Sequence, residues 1–145
     1  MGKLLHYHGE SDPSVPAASS VHYWQSVRSI MYSEMSFNES ITALDNWYQF
    51  YLVPGAAHCN TNSLQPGPYP ESNMETIIDW VEKDRKPSGL NSTVSSGDYE
   101  GESQLLCKWP LRPFWKSNSS YDCVYDQMSY DSWTYTFDAF KVPIY

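Results

Sequence analysis

The sequence predicts an α/β fold in which two parallel strands are joined through a helix, and three observations lead there. A short apolar run, Lys3 to His8 (KLLHYH), stops at Gly9 and a segment dense in turn residues. A second, aromatic and β-branched run, Trp47 to Val53 (WYQFYLV), stops at Pro54-Gly55. Between and after these runs, apolar residues recur at helical spacing. Two strands connected through a helix ordinarily pair in parallel by a right-handed crossover, which directs both strand ends to one edge of the sheet.

Taken in order, the first run is a buried strand, and Asp12 stands just past its end. From Pro16 the period changes. Ser19 or Ser20 can cap a helix whose apolar face is Val21, Tyr23, Trp24, Val27, Ile30 and Met31. Ser33 to Asp45 is polar and reads as a surface loop leading into the second strand. His58 and Cys59 follow the stop of that strand, in the relation that Asp12 bears to the first. After a loop rich in Pro and Asn (residues 60–70), Met74, Ile77, Ile78 and Val81 form a helical stripe flanked by Trp80, ended by basic residues and Pro87. Residues 1–86 thus read strand, helix, strand, helix. Residues 87–145 lose periodicity and are expected to form an irregular, aromatic-rich wrapping extension. Because two strands make a poor sheet by themselves, further strands are expected from sequence outside this chain.

Composition narrows the function classes. A net charge of -8 over 145 residues argues against nucleic acid and anionic membranes, whose binding depends on Lys and Arg clusters. The chain has no apolar run of the roughly 20 residues that span a bilayer. Three glycosylation sequons, at Asn38, Asn91 and Asn118, predict a secreted glycoprotein. The apolar stretch in MGKLLHYHGE is too short for a secretory signal, so a secreted chain of this kind is expected to be a downstream fragment, a processed light chain or a mature product. The aromatic content of 16% fits ordinary packing, and also a module that binds polyphenol or carbohydrate by stacking without chemistry.

The chemistry centres on Asp12 and His58. In open parallel sheets reactive groups gather at the carboxyl ends of strands, where both residues fall. An imidazole acting as base for a hydroxyl needs a carboxylate on its other nitrogen, to fix the tautomer and stabilise the imidazolium. The order Ser, Asp, His belongs to the α/β-hydrolase fold, yet no Gly-x-Ser-x-Gly occurs here, so the nucleophile is expected upstream, outside this chain. Plainer roles stand beside these: Asp12 as a turn residue ahead of Pro13, and His58 as a surface histidine. His6 and His8 share a strand face, but two ligands make a weak metal site, and a satisfied core or shell role is expected. Glu10, a second candidate acid, and Glu71 and Asp98 are expected to be solvated.

The segments GKLLHYHGESDPSVP, WYQFYLVPGAAHC, LLCKWPLRPFW and YDC resemble the C-terminal third or so of fungal tannases and the related feruloyl esterases, tannases most of all. The resemblance covers nearly the whole chain. It implies that residues 1–86 are the C-terminal portion of an α/β-hydrolase catalytic domain and that 87–145 are a disulfide-stapled extension. Asp12 matches the family's triad acid, and His58-Cys59 matches its His-Cys pair; the Cys-Ser pair has no counterpart here. By the same resemblance Cys59 bridges to a cysteine outside this chain, beside the nucleophile, while Cys107 and Cys123 close a local loop. A buried free thiol is the alternative for Cys59. The implied reaction is hydrolysis of phenolic esters, galloyl first and feruloyl as the alternative, through an acyl-enzyme completed by the upstream portion of the same protein. This chain alone is expected to be inactive. The chemistry needs no cofactor. Family members often carry calcium in a lid domain, and no acidic calcium loop occurs in this sequence, so no metal ligand is expected among its residues.

Overall fold

β1 (Leu4–Gly9) and β2 (Tyr48–Val53) pair in parallel, in a computed structural model that describes residues 2–134. The register runs from Leu4 opposite Tyr48 to Gly9 opposite Val53, so the two strands end side by side. All six residues of β2 are buried, and their alternation separates two cores. Tyr48, Phe50 and Leu52 pack with Ala17, Val21 and Trp24 of helix α1 (Ala17–Met31) and with Leu44. Tyr51 and Val53 face Leu90 and Leu106 of the later strands, with Leu5 and Tyr7 beside them.

The connection from β1 to β2 holds a second helix. The segment expected to be a loop forms α2 (Phe37–Leu44), where Ser36 accepts the Glu39 backbone N–H and the Glu39 carboxylate accepts the Ser36 backbone N–H in return. This reciprocal cap satisfies two N–H groups that a helix start leaves open. Only one narrow face, Ser40 and Leu44, is fully buried, so the polar remainder concealed the helix from a hydropathy reading. In α1 the first turn begins at Ala17, which places Ser19 and Ser20 inside the helix rather than at its cap. Its expected stripe also divides: Val21 and Trp24 are buried, while Tyr23, Ile30 and Met31 are exposed. Helix α3 (Asn73–Lys83) inverts the expectation, burying Trp80 and exposing Met74, Ile78 and Val81.

The expected irregular extension is instead largely regular. Strand β3 (Pro68–Pro70), within the expected loop, joins β4 (Leu90–Val94) and β5 (Ser103–Leu106) in an antiparallel sheet of order β3-β4-β5. In β4, Leu90, Ser92 and Val94 point inward while Asn91 is exposed. The Ser92 hydroxyl donates to the Gln104 carbonyl at 2.8 Å, satisfying a buried polar group at what hydropathy scores as a surface position. A hairpin of β6 (Leu111–Ser117) and β7 (Ser120–Tyr125) follows, then the short helix α4 (Gln127–Ser132). Cys107 and Cys123 form a disulfide that ties the hairpin to the chain entering it. The Trp109 N–H donates to the Phe50 carbonyl at 2.7 Å, so this stretch covers the outer edge of β2. The end of the expected extension, residues 135–145, lies outside the described residues.

Candidate active site

Asp12 and His58 come together where β1 and β2 end. Glu10 N–H donates to the Val53 carbonyl at 2.9 Å and Ser11 N–H to the Ala56 carbonyl at 3.0 Å, which holds the loop after β1 against the turn after β2. That turn is closed by the Ala57 N–H donating to the Asn60 carbonyl at 2.9 Å, and it carries His58 and Cys59 at its tip. Cys59 has φ of 52°, a left-handed conformation that is uncommon without glycine. Its thiol is free and exposed.

His58 Nδ1 donates to Asp12 Oδ2 at 2.8 Å. A carboxylate can only accept, so Nδ1 carries the proton and the neutral ring presents a bare lone pair at Nε2. The His58 side chain is 51% exposed and Nε2 makes no hydrogen bond to the described residues, whereas the Asp12 side chain is 3% exposed. The other oxygen, Asp12 Oδ1, accepts the backbone N–H groups of Ser14 at 2.8 Å and Val15 at 2.9 Å. Asp12 is therefore both the turn residue and the partner of His58, one oxygen serving each role. Burial by itself would raise the Asp12 pKa, but the Val15 and Ser14 N–H groups, with His58, outweigh it and hold the carboxyl well below its ordinary range.

Two features of this arrangement escape a reading of the sequence. Gly9 is in contact with the turn of His58, which strand patterning does not register. His8 reaches Asp12 Oδ2 with Nε2 at 3.2 Å, and its spacing of four residues from Asp12 is the one sequence signal of that contact. His6 and His8 do share a face, with their ring nitrogens engaged by Tyr48, Ser20, the Val15 carbonyl and Asp12. Glu10 is not a solvated acid: half-buried, it ion-pairs with Arg112 of β6. Glu71 and Asp98 are exposed and lie apart from the pair. Among the described residues no three of His, Cys, Asp and Glu gather in a metal-binding arrangement.

The cavity at the pair is small, about 150 Å³, and is lined by Tyr7, Tyr69, Ala57 and Cys59 among others. The Tyr69 hydroxyl is pushed up to about 12, chiefly by burial. A larger cleft of about 690 Å³ opens beside Glu10, Ser11 and Arg112, and neither Asp12 nor His58 lines it. We place the candidate site at the smaller cavity, because an ionised carboxylate aligned on an imidazole is chemistry, whereas volume alone is not.

The chain is 72% identical over 144 residues to a tannase of Aspergillus oryzae, matching 99% of this chain and 24% of that protein. It is 30% identical over 132 residues to a probable feruloyl esterase B-1 of the same organism, matching 83% of this chain and 23% of the relative. Among solved structures, a tannin acyl hydrolase from Aspergillus niger superposes with a TM-score of 0.93 at 52% identity, over 99% of this chain and 26% of that one. Feruloyl esterase B from Aspergillus oryzae superposes at 0.68 and 26% identity, over 85% of this chain and 27% of that one. The chain therefore spans about a quarter of the length of these relatives. Together with a profile described as "Tannase and feruloyl esterase" that matches residues 1–130, these likenesses establish that the chain belongs to the tannase and feruloyl esterase family, a family of ester hydrolases.

Proposed function

We propose that this chain is the C-terminal portion of a secreted serine esterase of the α/β-hydrolase fold that cleaves galloyl esters, with Asp12 as triad acid and His58 as base. The observation that carries this is the 2.8 Å bond from His58 Nδ1 to the buried Asp12 carboxylate, which leaves Nε2 free and facing outward. A serine from sequence outside this chain attacks the ester carbonyl while His58 Nε2 takes its proton. The tetrahedral intermediate collapses to an acyl-enzyme as His58 returns that proton to the leaving alcohol; a water activated in the same way then releases the acid. Asp12 holds the ring and offsets its transient charge. Oxyanion-hole donors come from the same outside sequence.

Exposed apolar residues support the proposal that a larger body covers this chain. Tyr23, Ile30 and Met31 on α1, and Met74, Ile78 and Val81 on α3, are large hydrophobic side chains left in solvent. The exposure of Cys59 at the tip of the His58 turn supports a bridge from it to a cysteine beside the nucleophile. Asn38, Asn91 and Asn118 are all exposed, as glycan attachment in a secreted protein requires. Galloyl esters are the first choice because the likeness to a tannase, at 72% identity, far exceeds that to feruloyl esterases.

The test uses the full-length protein with methyl gallate and methyl ferulate as substrates. Asp12→Asn and His58→Ala are expected to lower kcat by about 10⁴ with the fold retained. Unchanged turnover in either variant overturns the catalytic assignment, and faster cleavage of the ferulate makes the protein a feruloyl esterase. The isolated 145 residues are expected to hydrolyse neither ester.

A further inference from the structure

Asp12 does not meet His58 alone. Its Oδ2 is also approached by His8 Nε2 at 3.2 Å, and His8 stands at one end of a hydrogen-bond chain that runs into the core between β1 and α1. His8 Nδ1 lies 2.7 Å from the Ser20 hydroxyl, that hydroxyl lies 3.3 Å from His6 Nε2, and His6 Nδ1 lies 2.9 Å from the Tyr48 hydroxyl.

The polarity of this chain follows from both ends. At the outer end, His8 Nε2 faces the Val15 carbonyl at 3.0 Å as well as the Asp12 carboxylate, and neither can donate, so Nε2 carries a proton. At the inner end Tyr48 is 1% exposed, and burial raises its pKa far above neutrality, so its hydroxyl keeps its proton and donates to His6 Nδ1. Burial lowers the His6 pKa and favours a neutral ring, which then donates from Nε2 to Ser20. Ser20 passes its own proton to His8 Nδ1. The reverse polarity would leave the buried Tyr48 O–H without an acceptor and His8 Nδ1 without a donor. A single direction, Tyr48 to His6 to Ser20 to His8 to the Val15 carbonyl beside Asp12, satisfies every member.

We propose that His8 is a positioning residue of the site: with Nε2 bonded to the Val15 carbonyl and lying 3.2 Å from Asp12 Oδ2, it braces the loop and the carboxylate that orients His58, and it is itself held by the one-way chain from Tyr48. This rests on the catalytic reading of Asp12 and His58. Without the His8 ring, Asp12 Oδ2 keeps only His58, Val15 loses the bond to its carbonyl, and the carboxylate can turn about the anchor that the Ser14 and Val15 N–H groups give its other oxygen. The His58 ring then samples directions that do not serve the nucleophile.

Two variants of His8 in the full-length protein separate positioning from mere packing. The amide nitrogen of His8→Gln reaches the place of Nε2, whereas His8→Asn reaches only that of Nδ1 and loses the bond to the Val15 carbonyl and the contact with Asp12. With methyl gallate, His8→Asn is expected to lower kcat about tenfold at unchanged KM, because small misplacement of a reacting group costs rate rather than binding. His8→Gln is expected to recover most of that loss, and Ser20→Ala, which cuts the link to the core without altering β1, to show a smaller fall in kcat. Equal kcat in the Asn and Gln variants overturns the proposal. If Asp12→Asn and His58→Ala also retain turnover, the catalytic reading itself has failed; if they are inactive while His8→Asn matches the parent, only the role of His8 has.

Discussion

A Cβ placed on Gly9 would lie 2.4 Å from the carbonyl oxygen of Ala56 and 2.6 Å from that of Ala57. Gly9 is the last residue of β1, and the Ala56-Ala57 backbone leads directly into His58. The absent side chain is what allows the loop of Asp12 and the turn of His58 to meet at hydrogen-bond distance. Both obstructing atoms are backbone carbonyls, so no rotamer change relieves the overlap, and real side chains do not tolerate such separations. Gly9→Ala is therefore expected to push the two loops apart. We expect a loss of about 1–3 kcal/mol in stability, the usual range for overpacking, and a fall of about 100-fold in kcat from the displaced pair. Denaturant titration and methyl gallate kinetics on the full-length variant check both, and a Gly9→Ala protein with parental kcat would refute the close approach.

The state of Asp12 sets a pH dependence. Its folded pKa is depressed below the ordinary carboxylate range, despite burial that pulls the other way, because backbone N–H groups and His58 favour the ionised form. The stabilisation that its charge confers is fully present above the unfolded value and is lost as pH falls through the folded one. The stability difference between the parent and Asp12→Asn should accordingly show no decline from about pH 8 down to about pH 5 and shrink only at more acid pH. Thermal unfolding of the two full-length proteins across that range measures it, and a difference that declines steadily between pH 8 and 5 would contradict the assignment.

The Cys107–Cys123 bridge closes a loop with a sequence separation of 16. Much of the hairpin that it holds is exposed, so the crosslink carries a share of stability that burial does not provide here. Chain entropy for a loop of this length gives about 3 kcal/mol. The double change Cys107→Ser, Cys123→Ser should lower unfolding stability by that order, and protease sensitivity should appear first between β5 and β7. A shift below about 0.5 kcal/mol would show the hairpin to be held by its other contacts.

The sequence was most legible where a strong local period met a strong stop. β1 and β2 announce themselves by dense apolar runs ended at Gly9 and at Pro54-Gly55, and the helical crossover between them implies their parallel pairing. It was least legible where inward positions are polar or where a side chain is missing. Ser92 fills an inward place in β4 with its hydroxyl bonded to the Gln104 carbonyl, and α2 shows mostly polar residues around one narrow buried face. The apolar stripe of α3 was visible but misleading, since Trp80, its flank, is the residue that is buried. Amphipathic spacing identifies a helix; it does not say which face meets this part of the protein.

By itself the sequence determined the two strands, their common edge, and Asp12 and His58 as the groups at that edge, because strand ends and residue types are local properties. Only the tertiary structure decided that these groups share a bond of 2.8 Å, that Gly9 opens the space for it, and that His8 joins Asp12 from the other side. The physical reason is distance along the chain. Asp12 and His58 are 46 residues apart, and a contact across that separation depends on the register of β1 against β2 and on the backbone approach at Gly9 and Ala56, neither of which is written in any short segment.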